Sequence, residues 1–386
     1  MNNGKEHTGW RLIPLCEAAE VTMGSSPPGE SYNDDGQGVP LINGPVEFSE
    51  GDFGFTIRGK STTEPTRMCR TDDLLLCVRG STTGRTNIAG FEACIGRGVA
   101  SIRAKEDQRF LNHFIRTQRQ RLFDLGNGST FPSITQEQLT SVKVPLPPLH
   151  EQRRIAAILD KADAIRQKRE EGIRLTEELL RSTFLEMFGD PATNPKEWDT
   201  EKLGELSSIR RGSSPRPIEN FMGGDVPWIK IGDATKGDSF YITETEDHVT
   251  QAGAARSVLL EPGSLVVANS GVSLGFARIL KIKGCVHDGW LSLEKLDDRL
   301  NKIYLLRLIN SLTDHFRAIA PDGTQPNLNT GIMKEFRVAI PPIDLQRKFE
   351  RAAYTIVEIS AARKKAAIEA KALFGSIVQR AFRGEL

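Results

Sequence analysis

Apolar residues recur at intervals of three and four along two long stretches of the chain, residues 147–189 and 341–382. This spacing places apolar side chains on one face of an α-helix, so each stretch is predicted to form one long helix. Two prolines open each stretch, where a missing backbone N–H leaves no intrahelical hydrogen bond unmade. A long helix with a single apolar face needs a partner in water, so we expect the two helices to pack together, antiparallel.

The predicted contact faces of the two helices are defined residue by residue. In the first helix the face contains Ile155, Ile158, Ala162, Ile165, Gly172 and Leu179, interrupted by Arg169, Thr176 and Glu186. In the second helix it contains Phe349, Ala352, Ile356, Ile359, Arg363, Ala366, Ala370, Leu373, Ile377 and Arg380. Setting large side chains against small ones favours a register in which Gly172 faces Arg363 and Arg169 faces Ala366.

The two helices belong to an internal repeat that covers most of the chain. The first copy opens with WRLIPLCEAAEVTMGSSP and the second with WDTEKLGELSSIRRGSSP, so that residues 24–27 match residues 212–215. Further matches follow in the same order: residues 73–85 with 264–276, residues 129–134 with 323–328, and Gln152 with Gln346. A series of matches in register indicates that the chain consists of two copies of one structural unit.

Each copy is predicted to comprise a domain followed by a helix. The domains occupy residues 1–148 and 191–340, and the helices residues 149–190 and 341–386. Short, partly β-branched apolar runs bounded by turn residues predict strands near 39–43, 74–79, 99–103 and 142–146, with counterparts near 226–231, 264–268, 290–294 and 336–340. Helices are expected at 108–124 and 299–318. The predicted fold class is α+β, with two homologous mixed α/β domains separated by a pair of antiparallel coiled-coil helices.

Composition narrows the class of protein only moderately. The chain has 386 residues, of which 38% are hydrophobic and 26% charged, as in globular proteins. No signal peptide or membrane-spanning run is evident, and five scattered cysteines suit a reducing compartment, so a cytoplasmic location with no membrane partner is expected. The formal net charge of +1 does not by itself indicate nucleic acid.

No catalytic or metal-binding constellation is apparent in the sequence. The nucleotide-binding and hydrolase motifs GxGxxG, GxxxxGK[ST], HExxH and GxSxG are absent, as is the [DN]PP[YF] motif of amino-methyltransferases. The six histidines do not cluster, and His287–Asp288 has Gly96–Arg97 as its counterpart in the first copy, which favours a surface pair. We therefore predict no catalytic residue, no metal and no cofactor bound by this chain.

Polar loops that follow predicted strands are the best candidates for binding residues. Arginine, serine, threonine and asparagine on such loops suit contacts to phosphates and to base edges. The candidates in the first domain are Arg79, Ser81, Thr82, Thr83, Arg85 and Asn87; those in the second are Arg210, Arg211, Arg216, Asn269, Ser270 and Ser273, with Ser213 and Ser214 in the same turn. Solvated turns that cap strands are the alternative interpretation of each residue.

The chain resembles the specificity subunits of type I restriction–modification systems. The resemblance is carried by PLPPLHEQRRIAAILDKADAIRQK and its partial copy IPPIDLQRKFERA, by the GSTFPSI and GTQPNLN turns, and by the paired W…L…GSSP openings. It implies a non-catalytic subunit whose two target-recognition domains each bind one half of a bipartite sequence in double-stranded DNA. It also implies helices that dock two modification subunits, which methylate adenine with S-adenosylmethionine, and an assembly with restriction (translocase and nuclease) subunits.

A different class of protein fits part of this pattern. A pseudo-dimeric coiled-coil scaffold that binds no DNA would have the same repeat and the same helices, but it would not account for the family-like openings of the long helices. Sequence-dependent binding to DNA in the presence of a modification subunit separates the two hypotheses.

Overall fold

The structure, a computed structural model, describes residues 9–51, 53–126, 132–235, 240–319 and 327–386. The matched turns GSTFPSI and GTQPNLN are described only in part, because residues 128–131 and 323–326 lie outside the described residues. The chain forms two compact units, one made of residues 1–169 with 366–386 and the other of residues 170–365. Each unit therefore contains one domain and half of each long helix, and the domain limits predicted from the sequence stay predictions.

The first domain consists of short strands and small helices, and one long helix follows it. In chain order they are β1 (Arg11–Pro14), α1 (Leu15–Ala18), β2 (Ala19–Met23), β3 (Tyr32–Asn33), β4 (Val39–Ile42), β5 (Ser61–Thr62), β6 (Met68–Cys69), β7 (Leu74–Cys77), β8 (Thr86–Ile88), β9 (Ala93–Ile95), β10 (Val99–Ala104), α2 (Gln108–Thr117), α3 (Arg119–Leu125), α4 (Gln136–Thr140), β11 (Lys143–Leu146) and α5 (Leu149–Phe188).

The second domain repeats this arrangement and ends in the second long helix. Its elements are β12 (Thr200–Lys202), α6 (Leu203–Leu206), β13 (Ser208–Arg211), β14 (Met222–Ile229), β15 (Tyr241–Ile242), β16 (His248–Val249), α7 (Gln251–Ala254), β17 (Val258–Leu260), β18 (Leu265–Ala268), β19 (Ala277–Leu280), β20 (Gly284–Val286), β21 (Trp290–Glu294), α8 (Lys302–Ser311), α9 (Thr313–Ile319), α10 (Thr330–Glu335), β22 (Arg337–Ala339) and α11 (Ile343–Phe382).

The sheets of the two domains have matching strand orders, which confirms the predicted fold class. In the first domain one sheet has the order β2-β10-β7-β8, and in the second the order β13-β21-β18-β19-β15. A further sheet runs β3-β5-β4-β9-β6 in the first domain, with β4 and β9 parallel, and β16-β14-β20-β17 in the second, with β14 and β20 parallel. The strands predicted near 39–43, 74–79, 99–103 and 142–146 and their counterparts are all present.

The central strand of each domain separates two apolar cores. All four residues of β7 are fully buried, since Leu74 and Leu76 point into one core while Leu75 and Cys77 point into the other. Strand β18 is built in the same way. Alternate side chains of a strand point to opposite faces of the sheet, so a strand covered on both faces is apolar throughout.

A buried glutamine fixes the start of each long helix. Gln152 donates to the carbonyl of Pro147 (2.8 Å) and accepts from the N–H of Asp107, next to the first turn of α2. Gln346 donates to the carbonyl of Pro341 (2.7 Å) and accepts from the N–H of Asn301 (2.8 Å), which precedes α8. The same side chain thus joins each long helix to the equivalent helix of its domain.

The two long helices pair within each compact unit, and one predicted contact is confirmed directly. In the second unit the Arg363 guanidinium donates to the carbonyl of Gly172 (2.5 Å) and to the hydroxyl of Thr176 (2.7 Å). In the first unit Leu159 on α5 and Phe374 on α11 belong to one buried apolar cluster. The facing of Arg169 and Ala366 stays a prediction.

The predicted contact faces are wrong at four apolar positions. Ile165, Leu179, Ile359 and Leu373 are 42–61% exposed, although the apolar pattern places them between the helices. At each of these four places the more buried residue lies one position later: Arg166 and Leu180 on α5, and Ser360 and Phe374 on α11. The ends of both helices also pack on the domain cores, where Leu180 and Phe374 are buried, and this second requirement rotates the faces.

Candidate nucleic-acid interface

The loop after the central strand is built alike in both domains. In the first domain Gly80 and Gly84 have φ angles of 79° and 86°, and in the second Gly271 and Gly275 have φ angles of 72° and 83°. These left-handed conformations strain any residue with a Cβ, which explains why glycine stands at all four positions. The first loop is also tied to the following turn, because the Gly80 N–H donates to the carbonyl of Pro132 (2.8 Å).

Arg79 and Ser81 are exposed at the surface of the first loop, and Thr82 is half-buried beside them. The side chain of Arg79 has no hydrogen bond or ion pair to any residue in the described parts of the chain. The Thr83 hydroxyl, by contrast, is buried and donates to the carbonyl of Gly80 (2.7 Å). Arg79 and Ser81 are therefore placed where a ligand could reach them, and Thr83 is not.

Arg85 and Asn87 have a structural role that the sequence analysis did not anticipate. The Arg85 guanidinium donates to the carbonyls of Phe48 (3.3 Å) and Ser49 (3.2 Å). The fully buried amide of Asn87 donates to the carbonyls of Ser49 (3.3 Å) and Gly51 (3.4 Å). Both side chains hold the segment around residues 45–51, so the structure does not support their assignment, or that of Thr83, to ligand binding.

In the second domain four of the candidate residues converge on Asp288. The Ser214 hydroxyl donates to its carboxylate (2.7 Å), and Arg216 forms an ion pair with the same carboxylate (3.2 Å). Arg211 (2.8 Å) and Asn269 (3.0 Å) donate to the Asp288 backbone carbonyl. Asn269 is fully buried and has a structural role, whereas Arg211 and Arg216 are exposed.

The remaining candidates of the second domain lie at the edges of this group. Arg210 is held by Glu294 through two hydrogen bonds of 2.8 and 2.9 Å and does not reach Asp288 in this structure. Ser270 and Ser273 are half-buried in the loop after β18. The backbone of Ser270 forms an isolated antiparallel β-bridge with that of Asn327.

Asp288 carries its charge at neutral pH, and the adjacent His287 is neutral. Partial burial alone would raise the pKa of Asp288, but the Ser214 hydrogen bond and the nearby Arg216 guanidinium contribute to lowering that pKa overall. Burial lowers the pKa of His287. No cluster of histidine, cysteine or acidic side chains suited to a metal ion occurs among the residues that the structure describes.

A pocket of about 740 Å³ opens beside Asp288 within the second domain. Its lining includes Ser214, Arg216, Met222, Trp228, Lys230 and Asp288. Sequence reasoning missed Asp288, Trp228 and Lys230 as site residues. One signal for Asp288 was available, because this position has the opposite charge, Arg97, in the first copy.

The chain belongs to the family described as the type I restriction modification DNA specificity domain. The family model matches twice, over residues 8–175 and 195–369, so the chain carries two copies of that domain. No helix in the described ranges has the length and apolar character needed to cross a membrane.

Relatives and solved structures agree with this assignment. The chain is 36% identical over 184 residues to a putative type I restriction enzyme MjaX specificity subunit of Methanocaldococcus jannaschii, a match that covers 46% of this chain and 42% of that relative. It is 22% identical to the MjaIX specificity subunit of the same organism, over 99% of this chain and 95% of the relative. The S subunit of M. genitalium has the same fold, with a TM-score of 0.60, 16% identity, and 99% and 98% of the two chains covered.

Proposed function

We propose that this chain is the DNA-sequence-recognition subunit of a type I restriction–modification assembly, with each domain binding one half of a bipartite target in double-stranded DNA. The observation that carries the proposal is the occurrence of two DNA specificity domains with one backbone frame and different loop side chains. The exposed Arg79 of the first loop corresponds to Ser270 of the second. Different side chains on equivalent frames suit two different half-sequences.

The chain contributes binding and not catalysis in this proposal. Adenine methylation belongs to modification subunits that carry S-adenosylmethionine, and cleavage belongs to restriction subunits. The relatives named as specificity subunits support this division of roles. An assembly that acts on the cell's own DNA belongs in the cytoplasm.

The surface of the long helices supports the docking of two partner subunits. In the first compact unit Ile165 on α5 and Leu373 on α11 are 55% and 61% exposed. In the second unit Ile359 on α11 and Leu179 on α5 stand at the equivalent positions of the repeat and are 42% and 50% exposed. Two equivalent Ile–Leu pairs, hereafter the outer pairs, provide apolar surface for two copies of one partner.

A binding experiment on a mixed pool of DNA tests the proposed function. The full chain with its cognate modification subunits should retain DNA that shares two short motifs separated by a fixed gap. The modification subunits alone should show no such selection. Equal retention of all sequences by the complete assembly would overturn the proposal and favour a scaffold.

Replacing Arg79 by alanine should weaken DNA binding through the first domain. A base-edge contact would lower the preference at one motif position by about 1–3 kcal/mol, whereas a phosphate contact would weaken binding to all sequences and flatten its salt dependence. The matched control is Arg11→Ala, which removes another exposed arginine of the same domain. Binding and selectivity equal to those of the control would remove Arg79 from the interface.

A further inference from the structure

The GSSP turn is held by the same backbone contacts in both domains, so one position can be compared across the repeat. The N–H of Ser25 donates to the carbonyl of Ile95 (3.0 Å), and that of Ser213 to the carbonyl of Val286 (3.1 Å). The Ser26 hydroxyl then accepts from the N–H of Arg97 (3.4 Å). In the second domain the Ser214 hydroxyl accepts from the N–H of Asp288 (3.4 Å) in the same way.

The glycines that open the two turns confirm this equivalence. A Cβ at Gly24 would collide with the carbonyl oxygen of Gly96, and a Cβ at Gly212 would collide with that of His287. The turn therefore lies against the same peptide group in each domain, directly before the position in question. Arg97 and Asp288 occupy one place on one frame, with opposite charges.

Both side chains are available to a ligand. Arg97 is exposed, and its guanidinium has no ion pair or hydrogen bond to a residue within the described ranges. The Asp288 side chain is 41% exposed and lines the pocket, and Ser214 and Arg216 orient its carboxylate. The exposed Arg216 flanks it, and its positive charge offsets part of the repulsion between a carboxylate and DNA phosphates, whereas Lys230 on the same pocket is paired with Asp247.

We propose that the residue directly after the peptide group on which the GSSP turn packs contacts a base and determines specificity. At this position Arg97 selects guanine in one half-site and Asp288 selects cytosine in the other. This inference rests on the proposed function. In the major groove guanine presents two acceptors, O6 and N7, which match the donors of a guanidinium. Cytosine presents its N4 amino group as a donor, which a carboxylate accepts.

Cytosine fits Asp288 better than adenine does. Adenine also has an amino donor in the major groove, but its N7 acceptor lies beside that donor. A charged carboxylate is an acceptor only, so it would meet the N7 lone pair unfavourably, whereas cytosine places no acceptor of its own there. Arg216, in contact with the same carboxylate, can donate to the guanine paired with that cytosine.

The test is target selection from randomised DNA by the complete assembly, with wild type and variants compared. Asp288→Asn should lower the preference for cytosine at one position of one half-site by about 5- to 150-fold and leave the other half-site unchanged. Arg97→Gln should lower the preference for guanine, by a similar factor, in the opposite half-site only. Arg97→Asp should change that preference from guanine to cytosine.

A control separates a base contact from a general loss of negative charge. Asp225→Asn makes the same chemical change at an exposed site of the same domain and should have no effect. The inference is overturned if both Asp288→Asn and Arg97→Gln retain the wild-type motif, or if Asp225→Asn changes it as much as Asp288→Asn. A wild-type assembly without any bipartite motif would instead refute the proposed function.

Discussion

Phe184→Ala should lower the free energy of unfolding of the second compact unit by about 3–5 kcal/mol. Phe184 lies on α5, is 2% exposed, and packs against Phe188, Tyr304 and Phe349 at ring-centroid distances of 5.1, 5.8 and 5.3 Å. These rings come from both long helices and from α8. Truncation leaves a cavity where three elements meet, and none of them can close it without moving the others.

Hydrogen exchange of backbone amides measures this effect better than a single melting curve, because a chain with two compact units need not unfold in one step. Amides of α8 and of the first half of α11 should lose protection, while those of α2 should not. Phe55→Ala removes a phenylalanine that is 59% exposed and should change stability by no more than about 0.5 kcal/mol. Equal loss of protection in both variants would contradict the importance of the aromatic cluster.

The elements with strong local patterns could be predicted from the sequence. Strands β7 and β18 are four-residue apolar runs bounded by turn residues, and the long helices have apolar periodicity with proline at their starts. Two-residue strands such as β3, β5 and β15 were not predicted. They exist because distant segments provide their hydrogen-bonding partners, and a pair of residues carries too little pattern to show this.

The long helices show a second limit of pattern reasoning. Two helix faces are compatible with a heptad repeat: one in which inward residues are spaced three then four apart, and one in which they are spaced four then three apart. The two faces share every seventh residue, so Ile356 and Arg363 face inward in both. The intermediate positions were assigned by hydrophobicity, which favours Ile359 and Leu373. The structure instead buries Ser360 and Phe374 at least partly, because the helices must also pack against the domains.

The candidate binding residues were predicted from residue type, and residue type does not show where a side chain points in the folded chain. Arg79 and Arg85 stand in one glycine-bounded loop, yet only Arg79 is exposed. Arg85 and Asn87 satisfy carbonyls of a segment some forty residues earlier in the chain, a long-range pairing with no local signal. The group around Asp288 likewise depends on three segments that only the fold brings together.

Replacing both outer leucines, Leu179→Asp with Leu373→Asp, should abolish the binding of modification subunits while leaving the fold intact. Each leucine is at least half exposed in the free chain, so its loss costs little folding stability. Burial of a leucine side chain at an interface stabilises it by about 1.5–3 kcal/mol, and an aspartate at the same place must also be desolvated. Each substitution should therefore weaken its own docking site by at least about 100-fold.

The single variants make the prediction sharper, because the outer pairs are equivalent in the repeat. Leu179→Asp alone and Leu373→Asp alone should each reduce the assembly from two modification subunits to one, as native mass spectrometry would show. Lys371→Asp introduces an aspartate on the opposite side of α11 and should leave two subunits bound. Two subunits retained by the double variant would mean that the partners bind elsewhere. Complete loss in either single variant would mean that the two sites are occupied only together, since independent sites on a repeated frame fail one at a time.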